Sequence, residues 1–265
     1  MGKSLEYPKR VSNTMNRYKH RGTYDLGPIH SIINSSPVLH VSFPSGDDPF
    51  PAILPMIGQM GSFEYPSSGI DDTLECYLHG YVSSRIMNLA RAKEGDGLPI
   101  CIAATHVDGL ILSLTPNSHS FNYRSAVLHG YATLVTEEEE KLWAMRLITN
   151  SVVPQRWENT RVPPDGAEMQ STTILRVRIV DGSGKIRDGG VSDERKDMDR
   201  PDVTDKVWVG VVPVFQTYGE PIPDAKNKVK EVPEHITSYI AKANERNERQ
   251  AIDAVKVPLP KEEVH

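Results

Sequence analysis

Apolar positions recur along this chain with two different periods, and the switches between them mark out its elements. Leu26, Ile29, Ile32 and Ile33 fall on one face of a helix that Asp25 can cap and Ser35-Ser36-Pro37 ends. Val38 to Phe43 then reads as a strand rich in β-branched and aromatic residues. Pro44 to Pro49 reads as a loop, and Ala52 to Met60 as a second strand. Pro55 interrupts it, which implies an edge, a bulge, or a backbone facing something other than a neighbouring strand. Glu64 to Asp72 is turn-rich, and Thr73 to Gly80 is a third strand. Ser83 or Ser84 can cap a helix carrying Ile86, Met87, Leu89 and Ala90 that stops near Gly95. Leu98–His106 and Leu110–Leu114 predict a hairpin, because Asp108-Gly109 between apolar runs is a strong turn signal.

Asn122 to Thr136 is a long strand, and Glu137 to Thr149 a helix capped by Thr136 with four glutamates at its positive end. Ser171–Val180 and Val207–Val214 are the last strong strands. Six to eight strands with short connections favour antiparallel pairing, and a closed or nearly closed barrel removes exposed edges. The expected class is therefore mainly β, a β-barrel with flanking helices. Residues 1–24 are polar and basic without a period and read as an arm. Residues 25–215 form the barrel domain, and 216–265 a proline-rich C-terminal extension. That extension carries a charged helix from Glu234 to Ala254, with a thin stripe of Ile236, Tyr239, Ile240 and Ala243 to pack on a surface or a partner chain.

Composition narrows the function classes. Of 265 residues, 30 are lysine or arginine and 35 aspartate or glutamate, a net charge of −5 that argues against a nucleic-acid binder. No apolar run approaches the roughly 18 residues of a membrane span. The start lacks an apolar signal core, so a cytoplasmic protein is expected, with Cys76 and Cys101 as free buried thiols. The histidines form no metal-spaced cluster, so no metal is expected. A P-loop fails because Ile179 and Ile186 stand where glycine and a hydroxyl residue are needed. No glycine fingerprint marks a Rossmann site, and no nucleophile elbow is present.

Three segments carry chemistry. In His79-Gly80-Tyr81-Val82-Ser83-Ser84-Arg85, a strand turns into a helix whose free backbone donors, two hydroxyls and a guanidinium suit a phosphate. The alternative is that Ser84 only caps the helix and Arg85 is solvated. Asn122-Tyr123-Arg124-Ser125 puts an arginine and a hydroxyl at a barrel rim, or is an ordinary polar strand end. Lys185, Arg187 and Trp208 could cover a planar anionic ligand, or be a solvated turn and a core tryptophan.

Taken in order, these segments resemble the pyridoxamine 5′-phosphate oxidase-like superfamily of FMN-binding split barrels, nearest to its flavin-nucleotide-binding branch with the nitroimidazole reductases. The resemblance runs from about Arg21 to Pro213. Its marks include Arg21-Gly22-Thr23-Tyr24-Asp25, His40-Val41, Ile53-Leu54-Pro55, Leu78-His79-Gly80 with Ser84-Arg85, and Tyr123-Arg124-Ser125 with His129-Gly130. Arg161-Val162-Pro163, Lys185-Ile186-Arg187 and Val207-Trp208-Val209-Gly210 complete the series. Leu112-Ser113-Leu114-Thr115 departs from the branch, where a more polar strand end with an arginine is expected, and so does Tyr81, where a small residue is common. Residues 214–265 look like the longer form of fungal members.

The resemblance implies an obligate homodimer with FMN in clefts between subunits. Ser83, Ser84 and Arg85 would meet the phosphate, with Tyr123, Arg124 and Ser125 close by. Ile53, Leu54 and Pro55 would present backbone to the ring, His79 would lie near the ribityl chain or ring, and Lys185 joins the set. Trp208 would reach the flavin from the second subunit. An FMN-dependent oxidoreductase acting on a small planar substrate follows, with NADPH or NADH as electron donor and His40 and His79 as the acid–base residues to test. The alternatives are a flavin-binding protein without turnover, and a haem-binding or haem-degrading relative with His235 as axial ligand.

Overall fold

The structure, a computed structural model, describes residues 4–46 and 48–258. Its strands are β1 (Gly22–Thr23), β2 (Leu39–Ser45), β3 (Asp48–Met56), β4 (Gly58–Gly61), β5 (Glu75–Tyr81), β6 (Leu98–Leu112), β7 (Ser120–Leu134), β8 (Thr172–Arg187) and β9 (Gly210–Pro213). The helices are α1 (Leu26–Ser35), α2 (Arg85–Ala92), α3 (Glu138–Val152), α4 (Gly166–Ser171), α5 (Arg195–Met198), α6 (Pro201–Thr204) and α7 (Glu234–Lys256). The mainly-β expectation holds, with the strands in the order β3-β2-β6-β7-β8-β5-β4. β1 is added on β8 and β9 on β6.

That order forces curvature. β3 and β4 stand at opposite ends of the path, yet only Ile57 separates them along the chain. A sheet whose two end strands are consecutive in sequence must curl until its ends come round to one another, here joined through Ile57 with the outer side of β3 left unpaired. At the corner the Ile57 carbonyl accepts from His79 N–H at 3.0 Å, and Gly58 pairs with Leu78. A Cβ on Gly58 would stand 2.5 Å from Leu78 Cδ2 and 2.9 Å from the Tyr77 carbonyl oxygen, so the bend accepts only glycine.

Two compact units divide the chain. One holds the residues up to Thr105 together with Ser125–Lys185, and the other holds His106–Arg124 with the chain from Ile186 onward. In the first, Leu39, Val41 and Phe43 of β2 alternate into the core, with Ile100, Ile102 and Ala104 of β6 and Leu128 of β7. Ile29, Ile32 and Ile33 of α1 are all buried, as their period predicted. α3 lays Ala144 and Ile148 on Tyr77, Val135 and Ile174. Its capping residue is Glu137 rather than Thr136. Glu140 is buried, accepting from the Tyr77 hydroxyl at 2.9 Å and Arg176 at 3.2 Å.

The N-terminal segment, expected as an arm without structure of its own, packs closely in this unit. Tyr7 is buried and its hydroxyl lies 2.6 Å from His30 Nε2. Asn13 Nδ2 donates to the Gly182 carbonyl at 2.9 Å. His30 Nδ1 lies 2.7 Å from the Ile70 carbonyl, which fixes the hydrogen there and leaves Nε2 to accept from Tyr7.

In the second unit the expected hairpin at Asp108-Gly109 is corrected: β6 runs unbroken from Leu98 to Leu112. Asp108 is buried and its carboxylate takes Arg124 Nε at 2.7 Å and Nη2 at 2.8 Å, so it is not free to make a turn. Gly109 is opposite Pro213 of β9, where a Cβ would come within 2.9 Å of Val211 Cγ1. The glycine serves a close approach rather than a reversal. β9 is also shorter than expected, since Val207–Val209 precede it as irregular chain. Arg187 is buried on Asn122 Oδ1 at 2.6 Å, and Asn122 Nδ2 donates to the Gly189 carbonyl at 2.9 Å. Gly189 N–H donates to the Ala254 carbonyl at 2.7 Å, which fastens α7. α7 buries Ala243, Ala251 and Ala254, while Ile236, Tyr239 and Ile240 of its expected stripe are half-buried.

Gly58→Ala should cost about 1–3 kcal/mol, the range for forcing atoms into a packed site. Urea unfolding should show a lower midpoint than wild type. Gly166→Ala, whose Cβ would meet nothing within 4 Å, should leave the midpoint within experimental error. Equal effects at both glycines would contradict the corner. A pH effect follows from His30. Burial holds its pKa below the ordinary 6.5, against smaller opposing effects of the Ile70 carbonyl and Asp71. The unfolded state therefore binds the extra proton first, and this contribution to stability is complete above pH 6.5 and lost as pH falls below it. Urea stabilities measured between pH 7 and pH 5 should fall less steeply in His30→Gln than in wild type, and parallel slopes would contradict the assignment.

Candidate functional site

The free edge of the barrel is β3. Its partner register sets Ser42 opposite Ile53, Val41 opposite Leu54 and His40 opposite Pro55. Pro49, Pro51 and Pro55 share the parity of Ile53. A proline sits in a strand with its missing donor on the unpaired side, so the Ile53 N–H and C=O face the open edge. The Ile53 side chain is 61% exposed and Pro55 is exposed, while Leu54 is half-buried. The proline inside the strand is thus explained by an edge.

Beside it, β5 ends at Tyr81 and α2 begins at Arg85, with Ser84 at the cap position. The Ser84 hydroxyl makes no capping bond and is enclosed without a hydrogen-bond partner among the described residues. An enclosed hydroxyl left unpaired costs on the order of 1–3 kcal/mol, so a ligand atom in its place would be stabilising. Arg85 reaches across to the β2–β3 turn, where Nη2 donates to the Ser45 carbonyl at 3.1 Å and also to the Ser45 hydroxyl. Ser83 is exposed, and its carbonyl accepts from Asn88 Nδ2 at 3.1 Å. His79 on β5 is exposed, and desolvation by the surrounding protein draws its pKa below the ordinary value. His40 on β2 is exposed and lies opposite Ala103 of β6.

The other expected site residues have different surroundings. Arg124 spends Nε and Nη2 on Asp108, so this part of its guanidinium is committed to an internal ion pair. Tyr123 and Ser125 are half-buried, and the Ser125 hydroxyl donates to the Lys185 carbonyl at 3.2 Å. Lys185, expected near a turn, lies within β8 opposite Gly22 of β1. Trp208 is 67% exposed and is not a core residue. Its ring lies across Gly210, where a Cβ would stand 2.6 Å from Cη2. The room that Gly210 leaves is filled by this indole.

One cluster had no signal in the sequence. His129 Nδ1 lies 2.7 Å from Asp181 Oδ1, and Ser12 Oγ donates to Asp181 Oδ2 at 2.9 Å. Asp181 is buried; desolvation, and after it the Asp181 charge, raise the pKa of the half-buried Cys101 thiol. His129 and Cys101 line a cavity of about 510 Å³ walled by β2, the β2–β3 turn, β6 and β7. Ser12, His129 and Asp181 are brought together by β7–β8 pairing and by the ordered N-terminal segment, neither of which follows from spacing.

A family model described as pyridoxamine 5′-phosphate oxidase matches residues 26–186. Among solved structures, the flavocytochrome Anf3 of Azotobacter vinelandii is 24% identical, covering 89% of this chain and 99% of its own, with a TM-score of 0.70. An FAD and haem binding protein of Mycobacterium smegmatis is 21% identical, covering 83% of this chain and 97% of its own, with a TM-score of 0.68. At these identities the likeness is one of fold. A search of curated proteins found no match. Among the described residues no helix is long and apolar enough to cross a membrane, and no group of three acidic, histidine or cysteine side chains could hold a metal. With more than half its length inside the family match and the strand order of a split barrel, the chain belongs to the pyridoxamine 5′-phosphate oxidase family.

Proposed function

We propose that the protein is a flavin-dependent oxidoreductase that binds the FMN moiety between β3, the end of β5 and the start of α2. The observation that carries this reading is the enclosed Ser84 hydroxyl without a partner, next to the Arg85 guanidinium at the N-terminus of α2. Free backbone donors, a positive helix end and a cation are the elements of a phosphate site. The open Ile53 N–H and C=O on β3 would meet the polar edge of the ring system, and the exposed Ile53 side chain its face. When bound, the flavin supplies the hydride or electron chemistry. The chain's own residues bind the phosphate, orient the ring and exclude water from it. His79 and His40 are the nearest candidates to hold a proton for a small planar substrate, and NADPH or NADH is the expected electron donor.

The working form is a homodimer in which the partner's Trp208 closes over the ring. Trp208, Val207, Val209 and Val212 are all exposed on one short stretch, and Phe50 and Ile53 of β3 are exposed together on another. Apolar groups clustered this way mark association surfaces more than they mark a free surface. A flavin shared between subunits would couple its binding to dimerisation.

A second reading adds haem, which the Mycobacterium smegmatis protein named above is described as binding. The observation favouring it is His235, half-buried in the first turn of α7. Its Nε2 is enclosed and has no hydrogen-bond partner among the described residues. An imidazole nitrogen is a common axial ligand of haem iron.

Arg85→Ala should weaken FMN about ten- to a hundredfold, the worth of a charge-assisted bond to phosphate, and leave riboflavin nearly unchanged. Fluorescence titration measures both, and sedimentation of the loaded wild type should give a dimer. Equal losses for the two flavins would remove Arg85 from the phosphate, and a loaded monomer would remove the shared site. Absorption spectra of purified protein test haem: a Soret band that disappears in His235→Ala supports it, and a flavin spectrum alone after reconstitution with haemin rejects it.

A further inference from the structure

We infer that the cavity walled by β2, β6 and β7 binds a hydroxylated aromatic molecule, a phenol or hydroquinone, with His129 Nε2 accepting its hydroxyl hydrogen. Binding there stands without the flavin; that such a molecule is the substrate of the flavin site rests on the flavin reading above. The cavity, about 510 Å³, falls within the roughly 300–1,000 Å³ of small-ligand sites, and all of it lies in the first compact unit. His129 lines it. The Nδ1 of this ring lies 2.7 Å from the buried Asp181 carboxylate, whose other oxygen accepts from Ser12 Oγ at 2.9 Å. A carboxylate only accepts, so Nδ1 carries the hydrogen, and in the neutral ring Nε2 is a bare acceptor held in one orientation. The Ser12–Asp181–His129 chain therefore calls for a ligand that donates.

The rest of the wall limits what carries that donor. Pro44, Pro49, Pro51 and Pro99 line it with rings that have no N–H, and Ile100 and Val180 add apolar surface. Tyr131 offers an aromatic face, with the Arg178 guanidinium carbon 5.3 Å from its ring centroid. An aromatic ligand gains offset or edge contacts on such a face beyond the area it buries. An anion is disfavoured, because the Asp181 carboxylate lies behind His129 and Asp48 also lines the cavity. Asp48 does not call for a cation, since it is exposed to water and accepts from Phe50 N–H at 3.0 Å. Cys101 stays a neutral thiol, its pKa pushed up by burial and then by the Asp181 charge. A neutral planar molecule with a hydroxyl matches all of these walls. Its place is also defined: Ser42 of the cavity is the cross-strand partner of Ile53, so the two side chains share one face of the sheet. The ligand lies on the face that carries the exposed Ile53 side chain, the proposed contact of the flavin ring.

The probes are 4-methylphenol and 4-methylanisole, which share a ring and differ in the hydroxyl hydrogen. Each is titrated into the full-length protein by ligand-observed NMR at about pH 8, where an ordinary imidazole is neutral. Wild type should bind the phenol roughly fivefold tighter than the anisole, the worth of one neutral hydrogen bond. His129→Phe keeps a ring and removes both nitrogens; with its fold checked by circular dichroism, it should erase the difference. Ser42→Phe, which fills the cavity from β2, should abolish binding of both compounds. Equal affinities in wild type overturn the inference without any variant, as does binding of neither compound. A phenol preference that survives in either folded variant places the phenol elsewhere and also overturns it. FMN titrations of the same samples separate the two readings. FMN binding without a phenol preference overturns this site and leaves the flavin reading standing. A His129-dependent preference without FMN binding supports the site and removes its link to the flavin.

Discussion

The single residue between β3 and β4 governs this structure. Because Ile57 alone joins strands at opposite ends of the sheet, the sheet has to close on itself. Closure in turn demands a corner where chains approach more nearly than side chains permit, and Gly58 supplies it against the Tyr77 carbonyl and Leu78. The corner hydrogen bond from His79 N–H to the Ile57 carbonyl then fixes where β5 runs relative to β3. The candidate ligand groups sit on those two strands and on the helix that follows β5.

An edge strand is ordinarily a hazard, since its unpaired donors and acceptors invite other strands. Here Pro49, Pro51 and Pro55 remove the outward donors of β3 and leave those of Ile53. The same device that protects the edge from indiscriminate pairing leaves one amide group for recognition. The Ser84 hydroxyl, enclosed without a partner among the described residues, marks the other end of the candidate site. Buried polar groups without partners are uncommon in folded proteins, which is why one beside an arginine and a helix start carries functional weight.

The two long strands β6 and β8 illustrate how tertiary pairing overrides local signals. Asp108-Gly109 has the composition of a tight turn, but Arg124 takes the aspartate in a two-point ion pair and β9 needs the glycine for its approach. Ser183-Gly184-Lys185 likewise reads as a turn, yet Gly184 lies in β8 opposite Thr23. Residues 4–24 look featureless because their anchors, Tyr7 on His30 and Asn13 on Gly182, are single contacts with distant elements rather than a period.

Much of the architecture was legible from residues alone. The 3.6-residue period of α1, the alternation of β2, the start of α2 after Ser84 and the acidic start of α3 are local properties. Local backbone and side-chain preferences suffice to set them. The phosphate-type segment from His79 to Arg85 was also legible, since strand, glycine, hydroxyls and cation are contiguous. What the sequence could not determine is every partnership across the sheet. The capture of Arg124 by Asp108, the fixing of His129 by Asp181 and Ser12, and the cavity at Ser45 all join residues through strand order or chain reversal. Side-chain identity is encoded one position at a time. Distances between non-neighbours depend on register and closure, and these are decided only when the whole sheet assembles.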